Sequence, residues 1–411
     1  MNKDIYSTKN EEPMKVAVVT SFPPSKVTLN EYGYHLVKNF VQRTEVSELL
    51  LITDKTKEPK QLDFKNSNKV SVKECWEFNS YANLFTICRT ILKEKPDAVL
   101  FNLQFVKFGD KKVPAALGLL IPMILKLFGF NTIVLLHNIL EQVDLESAGF
   151  TSNKLAQRTY NFIGTCLTKC ILQADKVAVT ISKYVDILNE KYKTDNVILI
   201  PHGTFEIPKN PNFDLPQGPK KVMAFGKFGT YKKVEILIDA VELIRKSSDE
   251  AIEIVIAGTD SPNTPGYLQQ VKEKYADVPG IIFTGYVEEN EVATIFNEST
   301  MVVFPYTSTT GSSGVLHQAG SYGKAVVMPD LGDLSILVKE EGYKGEFFNP
   351  ESTESLAKAI KAILNDDEYR RKLAKTNYKA ACELSMDKIV QMYIRDFKQV
   401  NYDKIIRWVN G

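Results

Sequence analysis

Groups that could hold an anion are concentrated in the segment 301–330 of the 411-residue chain. Its apolar start predicts a buried strand, and the residues from Val315 predict a helix. Between these elements, Ser312, Ser313 and Gly314 are small enough to let a ligand approach the backbone closely. A strand, a small-residue loop and a helix N-terminus direct backbone N–H groups at one point. The segment therefore predicts a site for a phosphate or a sugar.

Two lysines could bring positive charge to such a ligand. Lys227 and Lys232 flank a glycine-bearing turn, GKFGTYKK, after a predicted strand over residues 222–225. Their ammonium groups could neutralise a diphosphate, although together with the neighbouring lysines they also fit a solvated surface cluster. The chain contains no D-x-D sequence, so a divalent cation bridging a diphosphate to paired carboxylates is not expected.

The chain has only four histidines, His35, His137, His202 and His317. A lone histidine is most simply a structural residue, and their separation argues against one metal site. His137 differs because it directly follows the apolar run 133–136, where a buried parallel strand should present its next side chain to a ligand. We therefore expect His137 to be the functional histidine and His35 to lie on a helix face.

Composition predicts an ordinary globular protein of two domains. Hydrophobic residues make up 44% of the chain and charged residues 25%, and the net charge of +1 gives no global field suited to nucleic acid. Five scattered cysteines do not form a disulfide framework. The first thirteen residues are polar and lack the apolar core of a signal peptide, so a cytoplasmic location is predicted.

Strand and helix patterns alternate along both halves, which predicts parallel sheets with helices on both faces. The loop after the first strand, residues 21–30, lacks G-x-G-x-x-G, so a nicotinamide enzyme is not expected. Four prolines mark a linker between the halves. The predicted divisions are a disordered tail 1–13, a first Rossmann-like domain 14–205, a linker 206–220, a second Rossmann-like domain 221–385, and a helical segment 386–411 that packs on the first domain.

The most hydrophobic stretch is residues 113–130, which two prolines and two glycines interrupt. Its length is at the lower edge of what spans a bilayer, and a strand pattern follows almost at once, so a true span is not expected. Two interpretations are equally good. The stretch is a core helix, or it is an interfacial helix flanked by Lys107, Lys111, Lys112 and Lys126.

Several motifs together resemble the retaining, nucleotide-sugar-dependent glycosyltransferases of family four. In the second half these are GKFGTYKK, IIFTGYVEENEVATIFNESTMVVFPYTST and GVLHQAGSYGKAVVMPDLGDL; in the first half they are LLHNI, ADKVAVTISKY and ILIPHGTF. The resemblance implies the GT-B fold, in which two doubly wound Rossmann-like parallel-sheet domains face each other across a cleft and a C-terminal helix crosses back to the first domain.

Carried over position by position, the resemblance implies a role for each matching residue. His137 would contact the transferred hexose, and Lys227 and Lys232 would hold the donor diphosphate. The donor-binding set is Gly226, Tyr286, Val287, Thr310, Ser313, Gly314, Val315, Leu316 and Gln318. The acceptor-side set is Pro24, Lys26, Thr28 and Asn30. No metal ion and no cofactor beyond the donor substrate are implied.

Some positions depart from the family's usual residues. Lys227 stands where arginine is usual, so a compact ammonium group replaces a planar guanidinium group that can donate two parallel hydrogen bonds. Thr310 and Gln318 stand where two glutamates are usual. Gln318 can still accept a ribose hydrogen bond without charge, whereas Thr310 cannot replace a carboxylate, and His317 could partly compensate.

The implied function is transfer of a hexose from a nucleoside diphosphate sugar, with retained configuration and without a metal. The acceptor would be a saccharide or lipid-linked saccharide in cell-surface or exopolysaccharide synthesis, met through peripheral contact with the inner face of the membrane. No nucleic acid is expected as a partner. Two alternatives stay open: a catalytically weak nucleotide-sugar-binding subunit, and a sugar-nucleotide epimerase of the same fold.

Overall fold

A computed structural model describes residues 12–140, 154–248, 250–308 and 313–410, without the side chains at 154–160, 289, 333 and 410. The chain forms two compact units. The first comprises Met1–Pro201 together with Met386–Gly411, and the second comprises His202–Ser385. Both are α/β units built on a parallel sheet, which confirms the predicted fold class.

The first unit has a seven-stranded parallel sheet in the order β3-β2-β1-β4-β5-β6-β7. Its central strands are almost wholly buried because helices cover both faces, which is why they appear in the sequence as unbroken apolar runs. The strands are β1 Met14–Val19, β2 Val46–Asp54, β3 Val70–Trp76, β4 Ala98–Leu103, β5 Asn131–Leu136, β6 Lys176–Val179 and β7 Val197–Leu199.

The helices of the first unit connect these strands, and a long helix from the end of the chain joins them. They are α1 Asn30–Phe40, α2 Asn83–Glu94, α3 Lys112–Leu119, α4 Ile121–Leu127, α5 Lys154–Ile171, α6 Ser182–Tyr192 and, last in the chain, α14 Met386–Asn410. Helix α14 contacts α1 and β5. Its Tyr393 and Phe397 are buried, as expected of a segment that packs on the first domain, but Tyr402 and Trp408 are exposed.

The apolar stretch 113–130 forms two short helices, α3 and α4, and not one continuous helix. Leu119, Ile121 and Leu125 are buried, so one side of the two helices belongs to the core. Lys107 does not flank an interfacial helix, because its side chain is itself fully buried. Among the described residues, no helix is both long and apolar enough to cross a membrane.

The second unit has a six-stranded parallel sheet in the order β10-β9-β8-β11-β12-β13. The strands are β8 Lys220–Phe228, β9 Ile252–Asp260, β10 Ile281–Gly285, β11 Met301–Val303, β12 Ala325–Pro329 and β13 Glu346–Phe348. The helices are α7 Glu235–Arg245, α8 Tyr267–Lys274, α9 Glu289–Glu298, α10 Gly314–Ser321, α11 Gly332–Glu340, α12 Thr353–Leu364 and α13 Asp367–Glu383.

The proline-rich segment 206–220, predicted as a linker, lies within the second unit. Arg370 on α13 donates a hydrogen bond to the carbonyl of Phe213 (2.7 Å), and the Tyr378 hydroxyl donates one to the carbonyl of Pro208 (2.5 Å). A segment without helix or strand periodicity is thus held in place by side chains of a helix far along the chain.

Candidate active site

In the second unit, the end of β8 lies very close to β9. Gly226 and Gly258 pair in register, and both have a positive φ, of 130° and 138°. A Cβ atom on Gly258 would overlap the carbonyl of Gly226, and one on Gly226 would lie 2.8 Å from the ammonium nitrogen of Lys232. The backbone conformation at Gly226 therefore favours glycine, and a Cβ atom there would displace the ammonium group of Lys232.

Lys232 is positioned by its backbone and by two aromatic rings. It forms an isolated antiparallel bridge with Tyr306, which follows β11. Its ammonium nitrogen lies 4.8 Å from the centroid of the Tyr306 ring and 5.9 Å from that of Tyr231. Burial lowers the pKa of Lys232, and the nearby Tyr231 partly opposes this shift. In the described part of the chain, no carboxylate forms an ion pair with Lys232.

Tyr306 links Lys232 to the beginning of α10. Burial raises the pKa of the Tyr306 hydroxyl, and the nearby Ser313 side chain opposes the rise, although the hydroxyl makes no hydrogen bond within the described part of the chain. Ser313 is the residue before α10, and its own side chain does not cap the helix. The structure thus brings together Gly226, Lys232 and Ser313, which the sequence predicted as one site, around a tyrosine that the prediction did not include.

The first turn of α10 offers fewer free amides than the sequence predicted. The N–H groups of Leu316 and His317 donate to the carbonyl of Ser313, at 3.0 and 3.4 Å. Those of Gly314 and Val315 are the first two of the helix, where no intrahelical acceptor exists. Gly314 and Val315 therefore fit the anion-binding role, whereas the Leu316 amide has a partner and its side chain is buried.

The remaining donor-side residues lie at the ends of elements. Lys227, still within β8, is exposed, and Tyr286 follows β10 with 70% of its surface accessible. Val287 and Gln318 are half-buried. Thr310 lies outside the residues that the structure describes, as does Ser312.

The side chain of His317, a residue of α10, is buried in the protein interior and does not face a ligand. Its Nδ1 is 3.0 Å from the Tyr343 hydroxyl, its Nε2 is 3.4 Å from a carboxylate oxygen of Glu341, and its ring stacks on that of His202 at 5.2 Å. Burial lowers the pKa of His317 well below its usual value and lowers that of His202 to about 4. Compensation by His317 for a missing ligand-facing carboxylate is therefore wrong.

Glu341 completes this buried cluster. Burial, together with Glu340, raises the pKa of its carboxyl group to about 8, so the group is mostly protonated at neutral pH. Nothing in the local sequence distinguishes Glu341 from a surface residue at a helix end. Only the fold brings it against His317.

In the first unit, His137 lies at the end of β5 and is held from two sides. Its Nε2 is 2.6 Å from the side-chain oxygen of Asn102, at the neighbouring end of β4, and its ring packs edge-on against Tyr32 at 4.6 Å. The Asn102 amide nitrogen donates to the Thr20 hydroxyl (3.0 Å), which orients the amide oxygen towards His137. Asn102 is thus a positioning residue that the sequence did not indicate.

Lys107 stabilises the loop predicted to face the acceptor by hydrogen bonds from the protein interior. The Lys107 ammonium donates to the hydroxyl of Ser21 and to the carbonyl of Thr28 (2.8 Å), and it lies 5.8 Å from the centroid of the Trp76 ring. Burial lowers the pKa of Lys107 to about 7, against an opposing effect of Asp54. A single fully buried lysine therefore spans the loop between its two ends.

The predicted acceptor-side residues differ in their exposure and in whether their polar groups already have hydrogen-bond partners. The Thr28 hydroxyl accepts a hydrogen bond from Gln104, and the Asn30 amide donates to the carbonyl of Ser25 (2.7 Å). Pro24 is half-buried and Lys26 is exposed. In the described ranges, no group of three or more His, Cys, Asp or Glu side chains could hold a metal ion.

Comparison with known proteins finds a family match over part of the second unit and establishes the fold. Residues 219–366 match the sequence model of the family Glycosyl transferases group 1. An uncharacterized glycosyltransferase of Haemophilus influenzae is 22% identical over 252 residues, which are 60% of this chain and 65% of that protein. The chain therefore matches somewhat less than two thirds of the length of this relative.

Solved structures with the GT-B fold resemble most of the chain. Sucrose-phosphate synthase from Thermosynechococcus elongatus has a TM-score of 0.72 at 17% identity, covering 96% of this chain and 100% of that chain. A glycosyltransferase from Rickettsia africae has a TM-score of 0.68 at 15% identity, covering 94% of this chain and 98% of that chain. Anabaena HepE in complex with UDP-glucose gives 0.63 at 15%, covering 94% and 99%. At these identities the likeness establishes the fold.

Proposed function

We propose that this protein transfers a hexose from a nucleoside diphosphate sugar to a hydroxyl group of a saccharide or lipid-linked saccharide. The observation that supports this best is the ammonium group of Lys232. It lies against Gly226 and the ring of Tyr306, next to the start of α10, without a carboxylate partner among the described residues. A withdrawn cation beside a helix N-terminus suits a diphosphate. The group also lies within the stretch that matches the glycosyltransferase model.

We assign the following chemistry to that site. The bond between the anomeric carbon and the diphosphate oxygen breaks, and the acceptor oxygen bonds to the same face of that carbon. The acceptor's proton passes to the departing diphosphate, so no carboxylate nucleophile is needed. Lys232, Lys227 and the amides of Gly314 and Val315 stabilise the charge that develops on the diphosphate, which is the main catalytic effect. Transfer then proceeds with retention and without a metal.

Other residues bind and orient the substrates in this proposal. Tyr286 and Val287 frame the nucleotide base, and Gln318 accepts a hydrogen bond from a ribose hydroxyl. His137, oriented by Asn102, contacts the hexose. The acceptor meets the loop that carries Lys26. Synthesis of a cell-surface or extracellular polysaccharide would use such a transferase.

A second candidate is a protein that binds a nucleotide sugar without turnover. It is favoured by one observation, the neutral Gln318 at a position where the resembling family has a carboxylate. An epimerase would need acid–base carboxylates at the donor. The buried Glu341 does not supply one, because it lies beneath α10 against His317.

Donor binding tests the assignment of Lys232. By isothermal titration with a panel of nucleoside diphosphate sugars, we expect Lys232→Ala to raise the dissociation constant about tenfold or more, which corresponds to the loss of one charged hydrogen bond. The matched control is Lys233→Ala, since the Lys233 ammonium donates to the Gly229 carbonyl (2.7 Å) and lies over the Tyr267 ring. Equal affinity of wild type and Lys232→Ala would contradict the diphosphate role.

A further inference from the structure

The last turns of α14 carry large apolar side chains that no described residue of the first unit covers. Tyr402, Ile405 and Val409 recur at helical spacing, and all are exposed, as is the adjacent Trp408 with 86% of its surface accessible. The first turns of the same helix are well packed, with Tyr393 and Phe397 buried. The exposure is therefore confined to the end of the helix.

A second exposed apolar feature lies beside it. Leu127 and Phe128, at the end of α4, are 80% and 61% exposed. The Lys404 ammonium on α14 donates to the carbonyl of Phe130 (3.0 Å) and pairs with Asp175 (3.1 Å), which places the last turns of α14 next to the end of α4. We call the exposed side chains of this region the basal surface; they are Leu127, Phe128, Tyr402, Ile405, Trp408 and Val409.

The end of α5 borders the same region. The Lys126 ammonium donates to the carbonyl of Ala174 (3.4 Å), just after α5, and lies 3.7 Å from Asp175. Asp175 is thus shared by two lysines, Lys126 and Lys404, and cannot neutralise both. The Asp175 side chain is almost buried. Two lysines that share this one carboxylate therefore leave a net positive charge at the surface.

Charge around the basal surface is mostly positive. The segments 122–130, 169–175 and 398–410 together contain five lysine and arginine residues and two aspartates, Asp175 and Asp403. Asp403 accepts a hydrogen bond from Gln399 on the same helix (2.7 Å). Apolar and aromatic side chains are thus bordered by cations, a combination that suits acidic headgroups above an apolar layer.

We infer that the basal surface docks on an anionic membrane. Tryptophan, tyrosine and phenylalanine are the side chains favoured at the boundary between headgroups and acyl chains, and lysines beside them interact with anionic lipid. A protein partner is less well matched, because lysine is depleted at protein interfaces. The contact is peripheral, through the ends of α4 and α14, and not through the whole stretch 113–130.

This inference goes beyond hexose transfer and is tested without any sugar substrate. Purified protein is sedimented with phosphatidylcholine vesicles that either lack or contain about a third of phosphatidylglycerol. We expect binding to the anionic vesicles only, decreasing several-fold between low and physiological salt because exposed charges are screened. The double variant Leu127→Glu/Trp408→Glu should lower the partition coefficient at least about tenfold.

The matched control is Tyr81→Glu/Phe85→Glu, which changes two aromatic residues that are each 64% exposed, on and just before α2. This control should bind vesicles like the wild type. Equal thermal unfolding of both double variants would show that neither is misfolded. Wild-type protein that ignores anionic vesicles, or equal binding by Leu127→Glu/Trp408→Glu, would overturn the inference. A wild-type dimer that this variant dissociates, without vesicle binding, would overturn it in favour of a second copy.

Discussion

At the scale of single residues, three lysines show how burial changes what one side chain can do. Lys227 is exposed. Lys232 is withdrawn between a glycine and an aromatic ring, where an anionic ligand would offset the cost of its desolvation. Lys107 is fully buried and bonds a loop from inside. Sequence spacing predicted Lys227 and Lys232 together, but it could not show that Lys107 was internal.

Lys107 predicts a specific pH dependence. Because its pKa is about 7 in the folded protein and 10.5 when exposed, the unfolded chain binds the extra proton between these values, and stability rises with pH there. In Lys107→Met this contribution disappears. The slope of the unfolding free energy against pH, measured by denaturant titration from pH 7.5 to 9.5, should fall by up to about 1.4 kcal/mol per pH unit.

The control for this experiment is Lys26→Met, which removes an exposed lysine from the same loop. Its curve should run parallel to that of the wild type. If Lys107→Met were also parallel, the ammonium would be equally protonated in the folded and unfolded chains, and the lowered pKa of Lys107 would be wrong.

At the scale of elements, α10 is a helix with two different sides. Its first residues, Gly314 and Val315, present amides where a diphosphate is proposed, while His317 packs inward against Tyr343, His202 and Glu341. The sequence predicted this strand–loop–helix from its apolar runs and small residues. It did not predict what lies beneath, since Glu341 is separated from His317 by β12 and α11.

Replacing Glu341 with glutamine should change how stability depends on pH. The folded carboxyl has a pKa of about 8 and the unfolded one 4.5, so the folded protein holds an extra proton between them and loses stability as pH rises. Glutamine has no proton to lose. Thermal unfolding is measured at pH 5, 6.5 and 8. The unfolding free energy of Glu341→Gln relative to that of the wild type should increase with pH, by up to about 1.4 kcal/mol per pH unit.

A constant difference between Glu341→Gln and wild type over this range would contradict a protonated buried carboxyl. Glu351→Gln, at an exposed position of the same unit, is the matched control, because Glu340 itself contributes to the raised pKa of Glu341. The three histidines with lowered pKa values act in the opposite sense, because they make stability fall as pH drops below about 6.5. Since His317 contacts Glu341, the comparison isolates Glu341 between pH 6.5 and 8, where the histidines do not titrate.

At the scale of the whole molecule, the alternation of strands and helices was enough to predict two parallel-sheet units, and the solved GT-B structures resemble the chain at 15–17% identity. Buried parallel strands leave unbroken apolar runs, which is a strong signal in one sequence. The exposure of an individual apolar side chain is much harder to predict from one sequence. The same apolar composition gave a buried Leu119 and an exposed Leu127, and a buried Phe397 and an exposed Trp408, because neighbours distant in sequence decide which side is covered.

The central claim is that this protein transfers hexose with retained configuration at a site held by Lys232. It is tested most directly by proton NMR of purified protein with a bound nucleoside diphosphate hexose, water serving as the acceptor. We predict slow release of the hexose in the anomeric configuration of the donor. The release should be lost in Lys232→Ala, and also in His137→Ala despite unchanged donor binding. No turnover of any donor that the wild type binds, or first release of the opposite anomer, would contradict the claim.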